Sequence, residues 1–207
     1  MIEEFDIRGL FYEQKGLECR KYLDIRRKTC LDGTPDLFVI MMNPGKSRPA
    51  KGGDHHEKEV IAIPDRTQVQ IMRVMKRCGF GYARILNLSD VRESNSHRLF
   101  ELLPSLESDR VPHSIFDPKR EQDLEELFTR ETPVILAWGV DKSLHDLAGM
   151  ALKKIGTESV YGIKKQGEDF AYYHPLPPDH YKQQDWVNRI ADQLKNSRVI
   201  SLRDENA

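Results

Sequence analysis

The sequence predicts an α/β fold, a single domain over residues 1–207 in which a four-stranded parallel sheet lies between two layers of helices, and three observations carry the prediction. Apolar runs without helical spacing, the first with six apolar residues in succession from Leu37, read as strands buried on both faces, as strands of a parallel sheet are. From there on strand patterns alternate with helix patterns, the order expected of parallel strands joined by crossover helices. Each strand pattern also stops at a constrained or polar turn: Asn43-Pro44-Gly45, Asn87, Trp138-Gly139 and His174-Pro175.

In chain order, two short mixed segments, Leu10 to Gln14 and Cys19 to Arg26, meet at Lys15-Gly16 and predict a hairpin placed at an edge of the sheet. The strand from Leu37 ends abruptly at Asn43-Pro44-Gly45, because proline has no N–H for the ladder and glycine accepts angles that other residues refuse. The segment KSRPAKGGDHHEKE then reads as a loop too long to be a mere connector. Thr67 to Cys78 has helical marks: Thr67 as cap, Val69, Met72 and Met75 at three-residue steps, and Gly79 beyond the end, with Asp65 just before it. Ala83 to Leu88 is the second buried strand, and a shorter helix is expected over Ser96 to Leu103. Asp117-Pro118 opens the next helix, proline standing where its missing N–H costs little. Pro133 to Trp138 is the third strand, and Asp141 caps the helix after it. A fourth strand, Phe170 to Tyr173, runs into HPLPPDHY, and an amphipathic helix with Trp186, Ile190 and Leu194 closes the fold.

Composition narrows the function classes. With 39% hydrophobic and 31% charged residues the chain is of ordinary globular type. No apolar run approaches the length of a membrane span, and the opening MIEEFDIRG is not a signal peptide pattern, so a cytoplasmic location without a membrane partner is expected. Cys19, Cys30 and Cys78 are far apart and lack C-x-x-C spacing, which argues against a disulfide framework and a zinc or iron–sulfur site. His55 and His56 are adjacent with no third ligand at usable spacing, so no metal is expected there, nor any cofactor. A net charge of −1 excludes a generally polycationic nucleic-acid binder but leaves room for a local basic patch. A monomer is expected.

The carboxyl ends of parallel strands share one edge, so the four turn segments are expected to converge on one crevice. Taken singly, each has a purely structural reading: Asn87 bonding its own turn, Trp138 in the core, His174 a satisfied histidine.

Taken in order, the four segments resemble the uracil-DNA glycosylase superfamily. Met41-Met42-Asn43-Pro44-Gly45 looks like its first motif, in the mismatch-specific branch where Asn-Pro-Gly carries a catalytic asparagine. Leu86-Asn87-Leu88 resembles the segment whose asparagine reads the pyrimidine edge, Ala137-Trp138-Gly139 the end of the third strand, and His174-Pro175-Leu176-Pro177 the last motif. Leu176-Pro177-Pro178-Asp179 departs from the serine-proline-leucine of that motif. Over nearly its whole length the chain also resembles the small bacterial and phage family known as domain of unknown function 1643, in which these segments recur in this order.

The resemblance implies a uracil-DNA-glycosylase-like fold and hydrolysis of an N-glycosidic bond in DNA, releasing a flipped pyrimidine in repair or anti-phage defence. Asn43 would position the water, His174 would donate to the base oxygen, and Asn87 would bond the base edge. An amide is a weak base, so a faster reaction would need Asp65 or Asp90 in the crevice as base, and Trp138, Gly139, Pro44 and Tyr173 would wall the pocket. Gly45 stands where the strictly uracil-specific branch has an aromatic residue, leaving room for a group on the pyrimidine C5. Lys46, Arg48 and Lys51, just after the first motif, are expected to hold DNA phosphates. The competing expectation is a catalytically inactive protein of the same fold that binds a free nucleoside or nucleotide, or a protein partner.

Overall fold

The computed structural model describes residues 1–30, 33–50, 58–156 and 159–204. The fold is α/β, built on one mixed sheet of eight strands. Its strands are β1 (Phe5–Gln14), β2 (Leu17–Arg27), β3 (Leu37–Met41), β4 (Arg48–Pro49), β5 (Lys58–Ile63), β6 (Tyr82–Asn87), β7 (Val134–Leu136) and β8 (Val160–Tyr161). They lie in the order β4-β5-β1-β2-β6-β3-β7-β8. The helices are α1 (Arg66–Cys78), α2 (Ser96–Ser108), α3 (Glu121–Leu127), α4 (His145–Ile155) and α5 (His180–Asp204).

Only half of this sheet is the expected parallel core. β6, β3, β7 and β8 run parallel, β3 being paired on both sides and wholly buried. The other half is antiparallel, because the N-terminal hairpin is not an edge ornament: β1 pairs with β5 and β2 with β6, which carries the hairpin into the interior of the sheet. Its turn is as the sequence predicts, with Lys15 (φ 53°) and Gly16 (φ 76°) both left-handed, the twist that suits a two-residue hairpin. The fourth parallel strand is β8, not Phe170 to Tyr173. Those residues instead bridge antiparallel to Gly139 and Lys164 through Tyr172.

The two sheet faces are covered by different helices. On one, Leu37, Val39, Met41, Ile85 and Leu23 pack against Ile71, Met72 and Met75 of α1 and against Trp186, Val187 and Ile190 of α5. On the other, Phe38, Ile40, Leu86 and Leu136 meet Leu99 and Leu103 of α2, Leu124 of α3, and Leu147 and Ala151 of α4. The period-two alternation of β3 and β6 is what divides these residues between the layers.

Local chemistry sets the helix ends. Asp65, rather than Thr67, caps α1: its Oδ1 accepts from the Thr67 N–H at 2.7 Å, and the Gln68 side chain accepts from the Asp65 N–H at 2.5 Å. The helix stops at Gly79, whose φ of 79° is left-handed and whose N–H bonds the Met75 carbonyl. α2 runs past the expected end at Leu103 and through Pro104, carried by the buried Leu103 and Leu106. Where a loop was expected through Glu59, β5 begins at Lys58. Lys51, His55 and His56 lie outside the described residues. No helix among the described residues is long and apolar enough to cross a membrane.

Two glycines give opposite expectations. A Cβ at Gly79 meets no atom within 4 Å, so Gly79→Ala pays only for its left-handed backbone, about 1–2 kcal/mol of destabilisation. Gly149, inside α4 and equally open, has ordinary helical backbone, and Gly149→Ala should stabilise by about 0.5–1 kcal/mol. Urea unfolding midpoints moving in opposite directions would bear this out; two shifts of the same sign would contradict it.

Candidate active site

β3 is where the chain changes direction across the sheet. From β3 it passes through α1 to β6 on one side, then through α2 and α3 to β7 on the other, so the carboxyl end of β3 opens between diverging connections. Open α/β sheets hold ligands at such a point. A cavity of about 680 Å³ lies there, lined by Asn43, Pro44, Gly45 and Lys46 after β3, by Trp138 and Gly139 after β7, and by His174. The start of α1, Asp65 to Gln68, supplies another wall.

Asn43 is locked in one orientation. Its Nδ2 donates to the carbonyls of Val91, at 3.1 Å, and Glu93, at 2.6 Å, both on the segment that leaves β6. Two acceptors on that side fix which end of the amide is nitrogen. The carboxamide oxygen carries no hydrogen bond from the described residues and is an acceptor with a set direction. Gly45 then turns the chain with φ 60°, a conformation that favours glycine, and a Cβ there would stand 3.3 Å from Asp65 Oδ2. The turn closes through Ser47 N–H to the Pro44 carbonyl, and Arg92 Nε holds the Ser47 carbonyl at 3.0 Å.

His174 is delivered by the segment expected to be a strand. Tyr172 exchanges two backbone hydrogen bonds with Gly139, Trp186 Nε1 donates to the Tyr173 carbonyl at 2.9 Å, and Gln70 Nε2 donates to the Pro175 carbonyl at 3.2 Å. The imidazole therefore hangs from a backbone anchored on three sides. Its Nδ1 accepts from the Leu176 N–H at 3.2 Å, which puts the proton of the neutral ring on Nε2. Burial holds its pKa below the ordinary imidazole value, against the pull of Asp65 in the other direction. Near neutral pH the ring is an uncharged N–H donor.

Asn87 does not line the cavity. It is Cα partner of Met41 in the β6–β3 register, is fully buried, and its Oδ1 receives Nη2 of Arg20 at 3.4 Å. Arg20 is itself wholly enclosed, and burial lowers its pKa to about 10. Asp90 is also out of the crevice: its carboxylate is bound by Tyr12 OH at 2.8 Å and Arg120 Nη1 at 2.6 Å, and burial raises its pKa to about 6. Tyr173 is nearly half exposed and lines no part of the cavity. Of the expected phosphate ligands, Lys46 is on the rim, Arg48 is exposed on β4 away from it, and Lys51 is outside the described residues.

Other walls escaped the sequence reading. Phe100 of α2 adds a half-buried aromatic ring, and Met42, Glu93, Asp141 and Leu176 are among the other residues that line it. Trp138 is nearly all core, its Nε1 donating to the Phe170 carbonyl at 2.7 Å. Among the described residues, no cluster of three or more His, Cys, Asp or Glu is arranged to hold a metal ion.

A family model described as protein of unknown function (DUF1643) matches residues 25–176. The chain belongs to this DUF1643 family. Every cavity-lining residue, from Met41 to Leu176, falls within the matched segment. No curated protein and no solved structure matches the chain.

The low pKa of His174 carries a stability consequence. The unfolded chain takes up this proton first as pH falls below the free imidazole value near 6.5, so stability falls from there until the folded group titrates. His174→Gln lacks this loss. Its destabilisation relative to wild type should be smaller at pH 5 than at pH 7 by urea unfolding, and an equal difference at both would show that the ring is not desolvated.

Proposed function

We propose that this DUF1643 chain is a DNA-glycosylase-like hydrolase that releases a flipped pyrimidine by breaking its N-glycosidic bond. The observation that carries the reading is the pairing, in one cavity, of an acceptor of fixed direction, the Asn43 carboxamide oxygen, with a neutral donor, His174 Nε2–H. Base hydrolysis needs these two groups. A water accepted by Asn43 adds its oxygen to the anomeric carbon while the C–N bond breaks and its electron pair leaves with the base. His174 meets the charge growing on the base carbonyl, where a pre-set donor is worth most. The water's proton passes to the carboxylate of Asp65, which lines the same cavity and whose Oδ2 faces Gly45. Phe100 is the ring against which a base would lie. Likeness of the four turn segments to the uracil-DNA glycosylase superfamily points the same way.

The absence of a side chain at Gly45 leaves space for a C5 substituent, so thymine-like or modified pyrimidines fit this reading, in repair or in defence against phage. Because the backbone at Gly45 is left-handed, any residue placed there is strained. Gly45→Ala is therefore the control for Gly45→Tyr: if both lose activity on uracil and C5-substituted DNA alike, glycine serves only the turn. Loss confined to C5-substituted DNA and to the tyrosine variant supports the steric role.

The rim charges favour a second reading. Lys46 and Arg66 are set against Asp65, Glu93 and Asp141, a near balance that suits a free nucleoside or nucleotide as well as a strand of DNA.

Incubating the chain with oligonucleotides carrying varied pyrimidines, then cleaving abasic sites with alkali, tests the first reading. Asn43→Ala and His174→Ala should each slow base release by about a hundredfold or more, with melting temperatures recorded to separate chemistry from folding. Full activity in both variants would refute the assignment. Nucleoside binding by calorimetry, without any base release, would establish the second.

A further inference from the structure

We infer that the outer ridge of α1 is a track for a nucleic-acid phosphate backbone leading to the cavity, formed by Arg66, Arg73 and Arg77. The inference rests on the nucleic-acid reading of the cavity and extends it to a surface that the four turn segments do not include.

Every exposed position of α1 is a cation: Arg66, Arg73, Lys76 and Arg77. Lys76 is paired with Glu4 at 2.9 Å, but no carboxylate among the described residues forms an ion pair with the three arginines. At about 100° per residue, positions 66, 73 and 77 fall within about 40° of one line along the helix. The line is about 16 Å long, which spans about five nucleotides of one strand at 3.4 Å each.

Two of the three guanidinium groups, those of Arg73 and Arg77, are held rather than neutralised. Arg73 Nη1 donates to Gln70 Oε1 at 2.7 Å, and Arg77 Nη1 donates to Asn188 Oδ1 on α5. Uncharged amides fix direction and leave the charge available, which is how a phosphate-binding arginine is best prepared. Arg66 sits in the first turn of α1, where a cation opposes the helix dipole, so helix stability does not account for it. The ridge also joins the cavity physically. Arg66 lines it, and the Gln70 that orients Arg73 donates to the Pro175 carbonyl, one residue from His174.

A membrane surface is a poorer partner for this ridge. The apolar face of α1, with Ile71, Met72, Val74 and Met75, is wholly consumed by the core, so the helix has no apolar face to bury in lipid.

Binding of a fluorescent DNA duplex to the full chain, measured against salt, provides the test. Arg73→Gln/Arg77→Gln should lower the slope of log affinity against log salt by about two units. A Lys119→Gln/Lys153→Gln control on the opposite helical layer should leave the slope unchanged, and melting temperatures should match wild type throughout. If base release is absent but the slope falls as stated, the ridge is upheld and the glycosylase reading fails. If base release proceeds and the slope is unmoved, the ridge is refuted and the activity stands. Lack of duplex binding at low salt, or capture by anionic lipid vesicles or an acidic peptide with no DNA binding, refutes the ridge.

Discussion

Two hydrogen bonds from a single side chain set the geometry of the candidate site. Asn43 Nδ2, donating to the Val91 and Glu93 carbonyls, ties the end of β3 to the chain leaving β6. That tie adds to the backbone bonds from the Leu88 and Ser89 N–H groups to the Met41 and Met42 carbonyls, and with them fixes where the Pro44-Gly45 turn points. So fixed, the turn stands opposite Asp65, the cap of α1, and the carboxamide oxygen faces away from its own anchors. The same interaction therefore closes the sheet edge and prepares an acceptor. Arg92 reinforces it from the far side by holding the Ser47 carbonyl.

The arrangement around His174 obeys the same economy. Gln70 and Trp186 each use a side-chain N–H to fix a carbonyl on either side of the histidine. Gln70 is nearly fully buried and also donates to the Gln183 carbonyl, so its amide links α1, α5 and the histidine segment. A small rotation of α1 would thus be felt at both the Asp65 end and the His174 end of the cavity.

How far the sequence reveals this depends on the range of the interactions involved. β3, β6 and β7 are legible because continuous apolar runs such as Leu37–Met41 have no other place to go, and the Lys15-Gly16 hairpin is legible because its turn is local. The hairpin's place inside the sheet is not, since it depends on pairing β1 with β5 across some fifty residues of chain. β5 hides because its apolar side chains are not all inward: Ile61 and Ile63 are exposed. β8 is two residues long, below what any pattern can register. In the site, Asn43, Trp138 and His174 are legible from turn chemistry, whereas Asp65 is the cap of α1 where the sequence points to Thr67. Asn87 looks equivalent to Asn43 in sequence, but its strand places it beside Arg20 under the sheet edge. Phe100 has no local signal at all, since only the packing of α2 brings it to the cavity.

The cavity walls are drawn from separate segments between Met41 and Leu176, distant from one another in the chain. The pocket is therefore a property of the completed chain and has no counterpart in the unfolded ensemble. A molecule that occupies it binds the native state alone and stabilises by mass action, about 2.7 kcal/mol when its concentration is a hundred times its dissociation constant. Occupancy of this cavity thus raises the melting transition of the whole protein, and ligands that fill it can be ranked by the size of that shift.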